Sequence, residues 1–299
     1  MGQRRRGKCT PKTCCCVFCC LLITTITGIL VWYFMLFKTE DQGPASCGDC
    51  FCIVGEGEVC PSEAPNSNVT TDLVDIYVKR QTIANPYDLS CDPFSNTNCR
   101  TSPAQDENLL GLGDTAVCAI HAVDPAAECQ ESSYNLKSYA SQEEAEAAGG
   151  VVTHLGHCGV CSTLQDLAVY LQNPTLATEG KFCSAKNTIS IEGGAACYLN
   201  LGMTEACAKV WAEAEFHTFK ECFTECFLKD ITQDQANNGP FPECALNSCL
   251  QCDADNSAET LAKIAGRTMR RSGLLSPVAR KCDEIAMIEH QRCPQTTPL

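Results

Sequence analysis

Cys158-Gly159-Val160-Cys161 is the segment of this chain with the sharpest chemical meaning. Two thiols three residues apart, after a short apolar run and just before a helical pattern, are placed for thiol–disulfide exchange. Amide dipoles at a helix start stabilise a thiolate and lower the thiol pKa. In that reading Cys158 attacks and Cys161 resolves. Two features oppose it. With Ser162 as the N-cap, both cysteines precede the helix, whereas the attacking thiol belongs in its first turn. No later strand carries the proline that thioredoxin-like sites set opposite the motif. A structural disulfide role for both cysteines is therefore the favoured reading.

Other groupings are weaker. His154, His157, Cys158 and Cys161 are zinc-ligating residue types, as are Cys249 and Cys252, but disulfide formation competes with zinc thiolates in an oxidising lumen. Asp253-Ala254-Asp255 has the Asp-x-Asp spacing that luminal transferases use for the metal of a nucleotide sugar, yet it follows Cys252 instead of ending an apolar strand. Counted from Asp253 as a calcium loop, it places Ala258 where Gly is needed and Ile264 where Glu is needed. Acids at the start of a capped helix explain it better. Glu213, His217 and Glu221 recur at four-residue spacing, half of a carboxylate–histidine metal set or simply a solvated helix face. Arg267, Arg270, Arg271, Arg280 and Lys281 form a basic cluster that internal acids can neutralise. No nucleophile elbow, phosphate loop or HExxH helix is present.

The elements that must position these residues are legible in part. Ala116 to Val123 reads as an apolar strand, Tyr134 to Tyr139 alternates as a half-buried strand does, and Val151 to Leu155 suits a third. Ser141-Gln142-Glu143-Glu144 is a capping box for a short helix stopped by Gly149-Gly150. Ser162-Thr163-Leu164-Gln165 is a second box, opening a helix to about Gln172 with Pro174 beyond it. Thr204 is placed to cap a long helix from Glu205 to about Lys229, Ser257 another, and Ser276 a third with Pro277 at its first position. Cys222 and Cys226 share a face of the long helix and are expected to staple it to neighbours.

Ahead of these elements lies a membrane signal. Cys16 to Phe37 is a run of 22 residues without a charge. As a helix it is roughly 33 Å long, against a hydrocarbon core about 30 Å thick. A cleaved signal peptide has a shorter apolar region, about 7–15 residues. Arg4, Arg5, Arg6, Lys8 and Lys12 precede the run, which puts the N-terminus in the cytosol and the rest of the chain outside, a type II topology. Cys14, Cys15 and Cys16 at the inner membrane edge are palmitoylation candidates. Five of the 22 basic residues and none of the 36 acidic ones precede the span, so the ectodomain carries a formal charge of −19. Such a surface repels phosphate backbones, which excludes nucleic acid as an expected partner.

Twenty of the 26 cysteines lie beyond the span, an even number in a segment expected to be extracytosolic. Asn68-Val69-Thr70 is a glycosylation sequon there. Residues 38–115 are rich in Pro, Asn, Ser and Gly and read as a loop-rich stalk; residues 116–293 read as a stapled globular ectodomain. Cys118 and Cys129 form one even group. A second comprises Cys158, Cys161, Cys183, Cys197, Cys207, Cys222, Cys226, Cys244, Cys249, Cys252, Cys282 and Cys293, and each group can close internally.

The stretch Gly156-His157-Cys158-Gly159-Val160-Cys161-Ser162-Thr163-Leu164-Gln165-Asp166-Leu167 resembles the start of an uncharacterised family of cysteine-rich secreted or membrane-anchored proteins of eukaryotic microbes. Cys249-Leu250-Gln251-Cys252-Asp253, Ala265-Gly266-Arg267-Thr268 and Ser272-Gly273-Leu274 fit the same resemblance, which covers roughly residues 130–290. It implies a self-contained module and supplies no activity or catalytic residue. The expected molecule has a cytosolic tail (1–15), one transmembrane helix (16–37), the stalk, a mainly helical α+β disulfide-rich ectodomain and a short C-terminal tail (294–299). The expected function is non-enzymatic binding or scaffolding at the bilayer through a protein partner, with no cofactor or metal, in the plasma membrane or secretory pathway. A Cys158–Cys161 oxidoreductase and a luminal transferase are the alternatives.

Overall fold

The computed structural model describes residues 71–80, 82, 85–96, 99, 108–124, 133–173, 176, 183, 190–228, 236–239, 244–274, 276, 278, 280 and 284–290. The expected transmembrane segment 16–37, Cys14, Cys15, Cys16, Asn68, Cys129, Lys281, Cys282 and Cys293 lie outside the described residues. Among the described residues, no helix is long and apolar enough to cross a membrane.

The protein is α+β and disulfide-rich. Three antiparallel strands, β1 (Val117–Ala122), β2 (Tyr134–Tyr139) and β3 (Val151–Leu155), form a sheet in the order β2-β1-β3. Strand β1 pairs with β2 from Val117↔Tyr139 to Ala122↔Tyr134, and with β3 through a bulge between Cys118 and Ala119. Side chains alternate across a strand, so β1 feeds two cores. Cys118 and Ile120 face the main helical core, while Val117 and Ala119 face a smaller one with Tyr139, Ala145, Val152, Ala286 and Ile288. Being central and covered on both sides, β1 loses its polar alternation.

Helix α2 (Gln142–Ala147) joins β2 to β3. Ser141 caps it by accepting from Glu144 N at 3.3 Å, and the Glu144 carboxylate reaches back to Ala140 N at 3.2 Å. The remaining elements are helical: α1 (Thr71–Lys79), α3 (Leu164–Gln172), α4 (Ile191–Asn200), α5 (Glu205–Glu221), α6 (Ser248–Asp253) and α7 (Glu259–Ala265). A π turn, Phe223–Leu228, follows α5, and a second, Ala254–Ala258, joins α6 to α7.

Four expectations need correction. Residues 71–79 of the expected stalk form a helix whose Leu73, Val74, Ile76 and Tyr77 enter the main core against α3, and Tyr87 and Leu89 join them. The apolar spacing of an amphipathic helix supplies the burial that the turn-rich flanks obscure. The long helix stops at Glu221 and passes into the π turn. Ser257 caps nothing; it is buried inside the second π turn, and the true cap is Asn247, whose side chain accepts from Leu250 N at 2.8 Å. The helix expected from Pro277 is not seen at the described positions Val278 and Arg280, neither of which is helical.

Candidate functional site

The Cys158–Thr163 segment leaves β3 and enters α3, and everything around it is interior. His154, Cys158, Cys161, Ser162, Asp166 and Arg267 are all 0% exposed. The two cysteines do not pair with each other. Cys158 bonds Cys118 on β1, and Cys161 bonds Cys207 on α5. Cys118–Cys158 also joins the two cysteine groups, each of which could by parity have closed internally. Sequence proximity did not decide the pairing; the turn after β3 lays Cys158 beside the central strand.

The backbone of this segment is held by the C-terminal end of α7. Val160 N donates to Ile264 O at 3.1 Å and Cys161 N to Ala265 O at 2.9 Å, so the segment runs along the end of α7. Approach this close needs glycine on both sides. A Cβ on Gly159 would lie 2.6 Å from Ala265 C, and one on Gly266 would lie 2.5 Å from Gly159 N. Gly266 also has φ 73° and ψ −62°, a conformation that side chains resist.

Arg267 then threads between this segment and β3. Its Nε donates to Cys161 O (3.0 Å), Nη1 to Thr153 O (3.0 Å) and Ser272 Oγ (3.2 Å), and Nη2 to Thr153 Oγ1 (3.2 Å) and Ser162 O (3.1 Å). These use all five guanidinium N–H groups on neutral oxygens. Burial pulls Arg267 down to about 10, and Tyr170, Asp166, Tyr134 and Tyr77 around it partly offset that shift. A buried cation without a direct carboxylate is costly, and it persists here because every donor is filled.

Ser162 and His154 have the residue types of a nucleophile and its base. His154 Nδ1–H donates to Leu155 O at 2.8 Å, so Nε2 accepts from Ser162 Oγ at 2.8 Å, while Ser162 Oγ accepts from Gly159 N at 2.8 Å. Burial, followed by the Arg267 charge, holds His154 well below its ordinary value, so the ring is neutral. A fully enclosed Ser–His pair has no substrate path; it braces the turn. This explains why Ser162 is not the helix cap. Thr163 takes that role, accepting from Asp166 N at 3.0 Å and donating to Asp166 Oδ2 at 2.6 Å.

Asp166 binds a second helix start as well. Its Oδ1 accepts from Thr204 N at 2.8 Å and its Oδ2 from Thr204 Oγ1 at 3.0 Å, so the Thr204 hydroxyl serves Asp166 instead of capping α5. Burial pushes Asp166 up to about 6 despite these bonds. Two helix N-termini converge on one carboxylate, the charge their dipoles favour.

The other singled-out residues disperse. Asp253 accepts from Thr218 Oγ1 at 2.5 Å, whereas Asp255, on the exposed face, accepts from Gln251 Nε2 at 2.8 Å. Burial raises Asp253. The pair does not converge on one point. Glu213 is buried and raised by burial and by Asp92; Glu221 is exposed. His217 stacks on Phe94 at 4.9 Å and contacts Ser257 Oγ through Nδ1 at 3.1 Å. Among the described residues no group of three His, Cys, Asp or Glu can hold a metal ion. Arg271 Nε pairs with Asp114 at 2.6 Å and Arg270 with Glu284 at 3.6 Å, while burial lowers Arg280. His157 Nδ1–H donates to Cys158 O at 2.6 Å. Cys183–Cys197, Cys222–Cys252 and Cys226–Cys249 staple the helices, Cys91–Cys99 closes a local loop, and Cys244 is also disulfide-bonded.

The sequence did not point to the open surface. A groove of about 640 Å³ lies between the end of α1 and the starts of α3 and α5, lined by Arg80, Asp88, Tyr134, Gln165, Glu205 and Lys209 among others. Arg80 lies over the Tyr134 ring, 5.5 Å from its centroid. These residues come from four separate stretches and share no motif.

Residues 191–288 match the sequence model of a family of unknown function, DUF8771. No curated protein matches the chain, and no solved structure does. The matched region contains Gly266 and Arg267, which hold the Cys158–Thr163 segment, together with the cysteines of the α5–α6 staples. The family match and the dense cross-linking fit an uncharacterised cysteine-rich family.

Proposed function

We propose that this chain is a single-pass, type II membrane protein whose disulfide-stapled ectodomain binds a partner or scaffolds without catalysing a reaction. One observation carries the reading. Every side chain of the Cys158–Thr163 segment that is equipped for chemistry is enclosed and engaged, with the two thiols in bonds to different elements. A thiol–disulfide enzyme needs an accessible, low-pKa thiolate, and a nucleophilic serine needs a substrate path. The disulfides fit an oxidising, extracytosolic compartment. The uncharged run 16–37 behind five basic residues supplies the anchor and its orientation. The resemblance to cysteine-rich proteins of eukaryotic microbes belongs to the same reading. The groove between α1, α3 and α5 is the surface offered to a partner, with charges of both signs at its wall.

A non-reducing peptide map of the full chain from its native membrane tests the proposal, alongside protease protection in sealed vesicles. The expected map contains Cys118–Cys158 and Cys161–Cys207, with the C-terminal bulk shielded inside ER-oriented vesicles. Free Cys158 or Cys161 with insulin-reducing activity, or digestion of the bulk from outside those vesicles, overturns it.

A further inference from the structure

The cross-links between α5 and α6 differ from the others in two respects. Six disulfides join described residues, and Cys226–Cys249 is the one in which neither cysteine is buried. Its neighbour, Cys222–Cys252, joins the same two chain segments one turn away, with Cys222 buried and Cys252 half-buried. The partners on each segment are therefore vicinal: Cys222 and Cys226 are four apart, Cys249 and Cys252 three apart. Side chains at such spacings on a helix lie about 5–6 Å apart at Cβ. A disulfide needs about 3.5–4.5 Å. The Cys249-Leu250-Gln251-Cys252 turn must tighten by only about 1–2 Å to close on itself. Its surroundings favour that movement. Cys226 lies in one π turn, and the second π turn begins directly after Asp253. Both are departures from regular helix that recur where helices do work.

One further group is placed for exchange. Asn256 Nδ2 donates to Cys252 O at 2.8 Å and lies 3.5 Å from Cys252 Sγ and 3.9 Å from Cys222 Sγ. Its second N–H faces the Cys222–Cys252 bond. An amide donor there stabilises negative charge as that bond breaks.

We propose that these four cysteines form a reductive exchange switch, in which one two-electron reduction undoes both staples. An external dithiol reduces Cys226–Cys249, becoming a disulfide itself and leaving thiols on Cys226 and Cys249. The Cys249 thiolate then attacks Cys252 Sγ. The Cys249–Cys252 bond forms, the Cys222–Cys252 bond breaks, and the electron pair leaves with Cys222 as a thiolate beside Asn256. Cys222 takes up the proton that Cys249 gave up, so the second step involves no net oxidation. The end of α5 and α6 are then no longer cross-linked by a disulfide. The switch is independent of what the ectodomain binds.

The tryptic cleavage pattern makes the exchange readable. Peptide 221–229 contains only Cys222 and Cys226, and both native staples tether it to peptide 230–263. The purified full chain is treated with one equivalent of dithiothreitol, trapped with N-ethylmaleimide over time and digested without further reduction. The expected result is release of peptide 221–229 labelled on both cysteines, with Cys249 and Cys252 unlabelled. Peptide 221–229 labelled only at Cys226 and still tethered overturns the exchange, as does first labelling at any other described disulfide. Asn256→Ala, which leaves all cysteines in place, is expected to slow release several-fold after Cys226–Cys249 has opened. An unchanged rate overturns the role of Asn256.

Discussion

Gly159 and Gly266 meet backbone against backbone: a side chain on Gly266 would place its Cβ 2.5 Å from Gly159 N and 2.8 Å from His157 O. This contact lets the Cys158–Thr163 segment lie along the end of α7, and through it the disulfide to β1 and the disulfide to α5 reach the same turn.

Gly266→Ala combines a clash with main-chain atoms and an unfavourable φ of 73°. Backbone strain of this kind costs about 1–3 kcal/mol and overpacking a similar amount. The expected loss of stability is about 2–6 kcal/mol, read from urea unfolding with the disulfides intact. Gly159→Ala meets the Ile264 and Ala265 backbone without the φ penalty and is expected to cost less. A Gly266→Ala protein as stable as the parent would show that the two segments do not touch.

Arg267→Met keeps a long apolar stem and removes the guanidinium. The carbonyls of Thr153, Cys161 and Ser162 then lose their donors inside the protein. Each unsatisfied buried group costs about 1–3 kcal/mol, offset in part because a buried charge is also removed. A net loss of about 3 kcal/mol in denaturant unfolding is expected. Arg267→Lys retains the charge but cannot reproduce the forked donors, so it does not rescue the loss. Full rescue by Lys would make charge, not donor geometry, the holding term.

How much of this was legible follows from which forces are local. The three strands and the Ser141 cap were readable, because alternation and capping act over a few residues. Helix α1 carried a readable apolar spacing at Leu73, Val74, Ile76 and Tyr77, hidden by the turn-forming residues around it. Choosing between Ser162 and Thr163 as the cap was not local. Both are cap residues, and His154, eight residues earlier, claims Ser162. Arg267 defeated the rule that arginine is exposed, since its acceptors at Thr153, Cys161 and Ser162 are 105 to 114 residues away. Disulfide pairing was illegible for the same reason: the bond joins whatever the fold brings within reach, and Cys158 found Cys118 instead of Cys161.

The staples should rank by the loop they close. Cys161–Cys207 spans 46 residues and Cys91–Cys99 spans 8. In the chain-entropy picture the longer loop is worth about 4 kcal/mol and the shorter about 2.5 kcal/mol. The double variant Cys161→Ala/Cys207→Ala is therefore expected to lower the unfolding midpoint clearly more than Cys91→Ala/Cys99→Ala. Removing each pair together avoids leaving a stray thiol. Equal losses, or the reverse order, would mean that native packing around the sulfurs outweighs loop closure.

Asp166 gives the fold a pH signature of definite sign. Burial raises its pKa from 3.8 to about 6, and the bonds from Thr163 and Thr204 and the Arg267 charge only partly offset this. The folded protein therefore holds this proton more tightly than the unfolded chain does. The resulting stability is fully present below pH 3.8 and is lost as pH rises through 6, a change of about 3 kcal/mol for a shift of about two units. Buried histidines act in the opposite sense. Burial and Arg267 hold His290 down to about 4, and His154 is held well below its usual value. Their contributions are present above pH 6.5 and fall away with acidification, so the parent's overall profile is a composite. Asp166→Asn isolates one component, because the amide can still accept from Thr204 N and does not titrate. In urea unfolding at pH 7 and pH 4, the parent is expected to gain about 2.4 kcal/mol relative to Asp166→Asn at the lower pH, because the unfolded chain is itself partly protonated there. A difference between the two proteins that stays constant across that range would mean that Asp166 titrates like an exposed carboxylate and that the junction of α3 and α5 is open to water.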